Sequence, residues 1–138
     1  VGVGQVELDV VESVDSVVVT LVPESGDDIQ IMKAGLIEIA DIYVINKYDR
    51  KDSDKMYLFL RNMLSMIDKD RWIPPIVKTI AIKDFGISDL VKKISKHKKY
   101  LLDNNYMIEK INKRYIKNIQ DRLFQNYENF FWNKKRDK

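Results

Sequence analysis

The 138-residue chain has no cysteine, which excludes disulfides, thiolate metal sites and cysteine nucleophiles. Histidine is almost as scarce. His97 is the single one; it stands among Lys96, Lys98 and Lys99 without a ligand or nucleophile partner, and it reads as a surface residue. Long hydrophobic runs are missing too. The longest, Val17–Val22 and Ile42–Ile45, are far too short to cross a bilayer, so no membrane partner is expected. Asp68, Asp70 and Asp84 do not gather into a metal-ligand pattern, and there are no internal repeats or low-complexity linkers. The start, Val1-Gly2-Val3-Gly4-Gln5, carries neither methionine nor a basic-then-apolar leader, which reads as a piece of a longer protein.

What is present is the composition of one soluble globular domain, 45% hydrophobic and 33% charged. The net charge of +3 hides an asymmetry. Residues 1–90 carry 10 Lys/Arg against 16 Asp/Glu, and residues 91–138 carry 14 against 5. A basic tail raises nucleic acid as a partner. Here the lysines interleave with apolar positions at helical spacing, and Tyr100, Tyr106, Tyr115 and Tyr127 are too scattered to stack bases. The tail therefore reads as a solvated helical face.

The apolar pattern predicts an alternation of helices and strands. Val6, Val10, Val11 and Val14 recur at helical spacing. Val17–Val22 is a β-branched run suited to a strand buried on both faces of a parallel sheet. Asp27, three residues before Gln30, opens a helix carrying Ile29, Met32, Leu36 and Ile39. Ile42–Ile45 predicts the second strand, and Ser53-Asp54 opens a helix with Met56, Leu60, Met63, Leu64 and Ile67 inward. After the rigid Trp72-Ile73-Pro74-Pro75, Ile76–Ile82 predicts a third strand. Asp84-Phe85-Gly86 turns into a helix from Ile87 with Leu90, Val91, Ile94 and Leu101 inward. Such an order implies right-handed crossovers and a parallel sheet between helices. A final helical pattern from about Tyr106 to Trp132 lies outside this unit, so the domain division is 1–104 and 105–138, the second a helical extension that needs a surface to pack on.

The most informative stretch is Asn46-Lys47-Tyr48-Asp49, where the second apolar run ends. Asn-Lys-x-Asp is the pattern that reads guanine. The Asp49 carboxylate accepts from the base N1–H and the 2-amino group, a pairing adenine cannot supply. Asn46 suits the base N7 and a brace between neighbouring loops, and the Lys47 stem covers the ring plane. In the next strand-to-helix loop, Thr79-Ile80-Ala81 offers the Ala81 backbone N–H to guanine O6. The ligands of parallel sheets bind at the carboxyl ends of the strands, where both loops fall.

These segments, with Val1–Gln5, Leu21-Val22-Pro23, Gly26–Gln30, Lys33-Ala34-Gly35, Glu38–Asp41, Trp72–Pro75, Gly86-Ile87 and Ile94–His97, resemble the MeaB-like (ArgK-like) branch of P-loop GTPases through about residue 102. That resemblance implies a partial P-loop NTPase fold: a three-layer α/β/α sandwich with a C-terminal helical extension. It implies binding of GTP/GDP with Mg²⁺, service to an adenosylcobalamin-dependent acyl-CoA mutase of the methylmalonyl-CoA type, and homodimers built partly through C-terminal helices. The expected compartment is the cytoplasm, or the mitochondrial matrix in a eukaryote. By the same resemblance, Gly2 and Gly4 sense the γ-phosphate, Gln5 is the candidate to orient water, and Asp27, Asp28, Gln30 and Lys33 couple nucleotide state to the partner. The phosphate-binding G-x-x-x-x-G-K-[ST] loop does not occur in these residues, and with it go the expected Mg²⁺ ligands. Ile80 also replaces the small hydroxyl residue usual in relatives. The competing reading is a nucleotide-independent interaction module.

Overall fold

A computed structural model describes residues 11–23, 39–67 and 71–136, with side chains described as far as Phe131. Three short strands, β1 (Val18–Leu21), β2 (Ile42–Ile45) and β3 (Ile76–Lys78), form a parallel sheet in the order β1-β2-β3. Val18 pairs with Ile42, and Tyr43 with Ile76. Among the described residues α1 (Ser53–Leu64) lies between β2 and β3, and α2 (Ile87–Asp103) and α3 (Tyr106–Arg136) come after β3.

The alternation of side chains along β2 builds the layers. Tyr43 and Ile45 point to one face and meet Leu21, Met56, Leu60 and Leu64, so α1 covers that side. Ile42 and Val44 point to the other, where they pack with Val77 and with Leu90 of α2. β2 is therefore buried on both faces, and a strand so placed must be apolar throughout. Burial also disfavours the phenolate of Tyr43, whose pKa is pushed up to about 12. The expected α/β sandwich is present, with helices on both sides of a parallel sheet. β1 departs from its expected burial: Val18 and Thr20 are exposed on the α2 side, while Leu21 is buried.

The third strand is shorter than Ile76–Ile82. It ends at Lys78; Ile80 then bridges to Phe85, and Ala81–Lys83 form a 3₁₀ turn. The apolar run continues through Ile80 and Ile82, but Ile82 is 91% exposed, so the run is not a core run to its end. Asp84 and Gly86 both take left-handed conformations, with φ of 54° and 80°. That double reversal sends the chain from sheet to helix within three residues.

α2 turns a different face inward than the apolar count implied. Val91 and Ile94 are exposed, and His97 and Leu101 are its buried residues. His97 is thus a correction: it is 1% exposed, not a surface residue. Its Nδ1 lies 2.7 Å from Ser16 Oγ and its Nε2 lies 3.3 Å from Asp41 Oδ1. Trp72 meets the ring at a tilt, and Tyr100 lies stacked on it at 6.4 Å between ring centres. Asp41 also accepts the Val17 backbone N–H at 2.8 Å, and its own carbonyl accepts the Trp72 indole N–H at 2.7 Å. The amino ends of β1 and β2 are therefore pinned to α2 through one imidazole. Burial holds that imidazole below the usual histidine range; Asp41 opposes the shift and Lys110 adds to it.

The sign of the pH effect follows. A depressed folded pKa means the unfolded chain takes up the proton first, so stability is fully present above about pH 6.5 and falls as the pH drops through the folded value. His97→Leu is expected to cost about 3 kcal/mol at neutral pH, since the Ser16 hydroxyl and Asp41 Oδ1 both lose their imidazole partner. The same variant should flatten the loss of stability between pH 7 and pH 5, measured by urea melts at several pH values. An unchanged slope would show that His97 does not titrate with unfolding.

α3 begins after a break at Asn104-Asn105, where Asn105 adopts a positive φ of 62°. Its first turns dock through charge. Arg114 pairs with Asp15 at 2.7 Å, Lys110 Nζ donates to the Asp15 carbonyl at 2.8 Å, and Lys117 pairs with Glu12. Tyr106 adds a tilted ring contact with Tyr100. Farther along, Ile119, Leu123 and Phe124 are exposed.

Candidate functional site

The carboxyl ends of β2 and β3 converge on Asn46–Asp49 and Thr79–Ala81. Two backbone bonds join them: Thr79 N–H donates to the Ile45 carbonyl at 2.9 Å, and Tyr48 N–H donates to the Thr79 carbonyl at 3.0 Å. Asn46 is locked between the loops. Its Oδ1 accepts both the Thr79 hydroxyl and the Ala81 N–H, each at 3.2 Å. With the carbonyl end of the amide engaged, the Nδ2 donor is the end turned away from these partners. That polarity suits a ring-nitrogen acceptor such as purine N7.

Ala81 holds a different bond from the one expected of it. Its N–H serves Asn46, so a base carbonyl at this place would share or replace an existing acceptor. Thr79, buried at 1% exposure, is the residue the sequence reading undervalued, because its hydroxyl sets the Asn46 amide. A hydroxyl at the closing end of β3, facing the end of β2, was the signal available.

Asp49 is exposed, and its Oδ2 lies 3.9 Å from Lys83 Nζ on the 3₁₀ turn. An exposed pair at that distance is worth little and yields to a ligand at small cost. Lys47 is exposed in the left-handed region, with φ of 55°. This conformation is unfavourable for a residue with a β-carbon and persists where the surroundings fix it. Here Ser53 supplies part of that fixing. Its hydroxyl, at the first residue of α1, donates to the Tyr48 carbonyl at 2.7 Å and to the Arg50 carbonyl, closing the loop beneath the helix. The Tyr48 hydroxyl donates to Asp54, and the Lys78 ammonium sits 4.4 Å from the Tyr48 ring centre and 4.1 Å from that of Tyr57.

Asn46, Lys47, Asp49 and Ala81 thus stand together at one end of the sheet. Gly2, Gly4, Gln5, Asp27, Asp28, Gln30 and Lys33 lie outside the described residues, as do Asp68 and Asp70. Among the described residues no group of three His, Asp or Glu side chains could hold a metal ion, and no helix is long and apolar enough to cross a membrane.

Comparison with known proteins gives this geometry a family. Residues 1–135 match the family model "Methylmalonyl Co-A mutase-associated GTPase MeaB", so the match runs past residue 102 and through most of α3. A Pyrococcus abyssi protein provisionally named a GTPase is 44% identical over 125 residues, covering 87% of this chain and 38% of that protein. GTPase ArgK of Escherichia coli is 35% identical over 96 residues, 65% of this chain and 29% of its own length. A mouse protein, the mitochondrial methylmalonic aciduria type A homolog, is 51% identical over 49 residues, 36% of this chain and 12% of its own length. The chain therefore spans well under half the length of these relatives. In fold it matches the crystal structure of an LAO/AO transport system kinase with a TM-score of 0.74, at 23% identity, over 93% of this chain and 42% of that one. On the family match across nearly its whole length, the chain belongs to the MeaB family of methylmalonyl-CoA mutase-associated GTPases.

Proposed function

We propose that this chain carries the base-reading half of a guanine-nucleotide site in a GTPase that serves a methylmalonyl-CoA-type, adenosylcobalamin-dependent mutase as its chaperone. The observation that carries the reading is the Asn46 amide, held by Thr79 and Ala81 with its donor end free of those bonds, three residues before the exposed Asp49. Asp49 takes N1–H and the 2-amino group, Asn46 Nδ2 takes N7, and the Lys47 stem covers the ring. GTP and GDP are the ligands. Mg²⁺ accompanies the phosphates, with ligands among residues other than those described. Gly2 and Gly4 sense the γ-phosphate, Gln5 orients water, and Asp27, Asp28, Gln30 and Lys33 couple nucleotide state to the mutase. The protein acts in the cytoplasm, or in the mitochondrial matrix of a eukaryote, as a homodimer with no nucleic-acid partner.

Calorimetric titration tests the base site directly. GDP is expected to bind at least ~100-fold more tightly than ADP, because adenine leaves the carboxylate unpaired. Equal affinities would end the nucleotide reading. The 138 residues taken alone hold no phosphate loop, and they are expected to hydrolyse GTP no faster than buffer. The exposed apolar residues of α3, including Ile111, Tyr115, Ile119 and Leu123, favour a second reading in which the chain is a nucleotide-independent assembly module. Equal GDP and ADP affinities combined with self-association lost on replacing Ile119 and Leu123 by serine would support it.

A further inference from the structure

We infer that Lys78 is a positioning residue for base recognition: held between the rings of Tyr48 and Tyr57, it fixes the Asn46–Asp49 loop so that Asp49 presents both carboxylate oxygens to one ligand. This inference rests on the base site proposed above. It begins from the free position of the motif. Tyr48 lies between Lys47 and Asp49, which would both touch the base, yet its side chain is tied to the scaffold instead. Its hydroxyl reaches Asp54 of α1, and its carbonyl takes the Ser53 hydroxyl. Its N–H goes to the Thr79 carbonyl, and the Lys78 ammonium lies over its ring.

The second ring, Tyr57, comes from one turn farther along α1 and lies 4.1 Å from the same ammonium. Both distances are well inside the roughly 6 Å range at which a ring face attracts a cation. Lys78 is also the last residue of β3 and precedes Thr79, which ties Asn46 and Tyr48. One side chain therefore joins the end of β3, the start of α1 and the middle of the base-reading loop. The loop needs such a brace, since Lys47 holds a left-handed backbone and Asp52, at the far end, holds another with φ of 70°. The Tyr48 hydroxyl also holds the Lys78 pKa above the usual lysine range.

A two-bond carboxylate contact is more sensitive to rotation than a one-bond contact. Inosine lacks only the 2-amino group of guanosine, so the preference for GDP over IDP reports whether both Asp49 oxygens are aligned. The full-length natural protein, its Lys78→Met and Lys78→Arg variants and a Tyr57→Leu variant would each be titrated with GDP and IDP, with thermal melts run alongside. Lys78→Met is expected to shrink the GDP-over-IDP ratio by about three- to tenfold, and Lys78→Arg, which keeps a cation over the rings, to restore it. Tyr57→Leu removes one ring but keeps the lysine, and should fall between them. It carries the same test if the methionine variant does not fold. A ratio unchanged in Lys78→Met and Tyr57→Leu, whatever happens to melting temperature or to both affinities together, would overturn the inference. So would an arginine variant as impaired as the methionine one. Failure of the underlying base site is distinguishable, because the unmodified protein would then show no preference for GDP over ADP.

Discussion

Asp49→Asn should weaken GDP binding by at least ~100-fold and raise affinity for xanthosine diphosphate above that for GDP. The carboxylate offers two acceptors to two donors, N1–H and the 2-amino group. An amide replaces one acceptor with a donor, which then faces the amino group of guanine. Xanthine carries a carbonyl at that carbon, so the amide that repels guanine suits it. The Lys83 contact at 3.9 Å does not alter the sign, because an exposed pair this long contributes little. The fold should be indifferent to the change, since Asp49 is exposed and supports no core packing. Titrations with GDP, ADP and xanthosine diphosphate, with melting temperature as control, decide the matter. A variant that still prefers GDP would remove Asp49 from base recognition.

Gly86→Ala should lower stability by about 4 kcal/mol or more. Two independent causes converge there. Gly86 has a φ of 80°, in the region that L side chains avoid, and a β-carbon would stand 2.0 Å from the Lys78 carbonyl oxygen. The same β-carbon would lie 3.1 Å from the Lys78 carbonyl carbon and 3.2 Å from Thr79 Cα, so backbone rather than a pliable side chain opposes it. Relief requires moving the end of β3 or the first turn of α2. Since Thr79 sets the Asn46 amide, the strain should reach the base-reading loop as well. Ile82→Ala, on a 91% exposed residue nearby, is the matched control and should leave the urea midpoint in place. A Gly86→Ala midpoint equal to that control would refute the close approach.

The parallel sheet was legible because β2 is hydrophobic on both faces, as a strand covered by helices on both sides requires, whereas the strand order came only with the structure. The base-reading loop was legible because Asn46–Asp49 follows such a strand at once. Ile76–Ile82 was overread because apolar residues continue past Lys78 into a 3₁₀ turn, and composition does not report the reversal at Asp84–Gly86. His97 was misread for a different reason. Its lysine neighbours dominate the local impression, yet Leu90, His97 and Leu101 stand seven and four residues apart, which is one helical face. Reading the face before the neighbours would have placed the imidazole inside. The bracing role of Asn46 was legible in the motif, but its partners Thr79 and Ala81 were not, since they depend on how closely two loops approach.

The charged footing of α3 has a consequence for the helix as a whole. At about 1.5 Å per residue, its 31 residues reach roughly 46 Å. Arg114–Asp15 and Lys117–Glu12 lie within its first twelve positions. Half-exposed pairs weaken as electrolyte is added. A tilt of ten degrees at such a root would sweep the far tip through roughly 8 Å. The bearing of this long rod therefore depends on the ionic composition of its surroundings as well as on the Tyr106–Tyr100 contact, and the distance between probes on the exposed Thr20 and Phe124 should broaden from low to high salt while the sheet stays as it is.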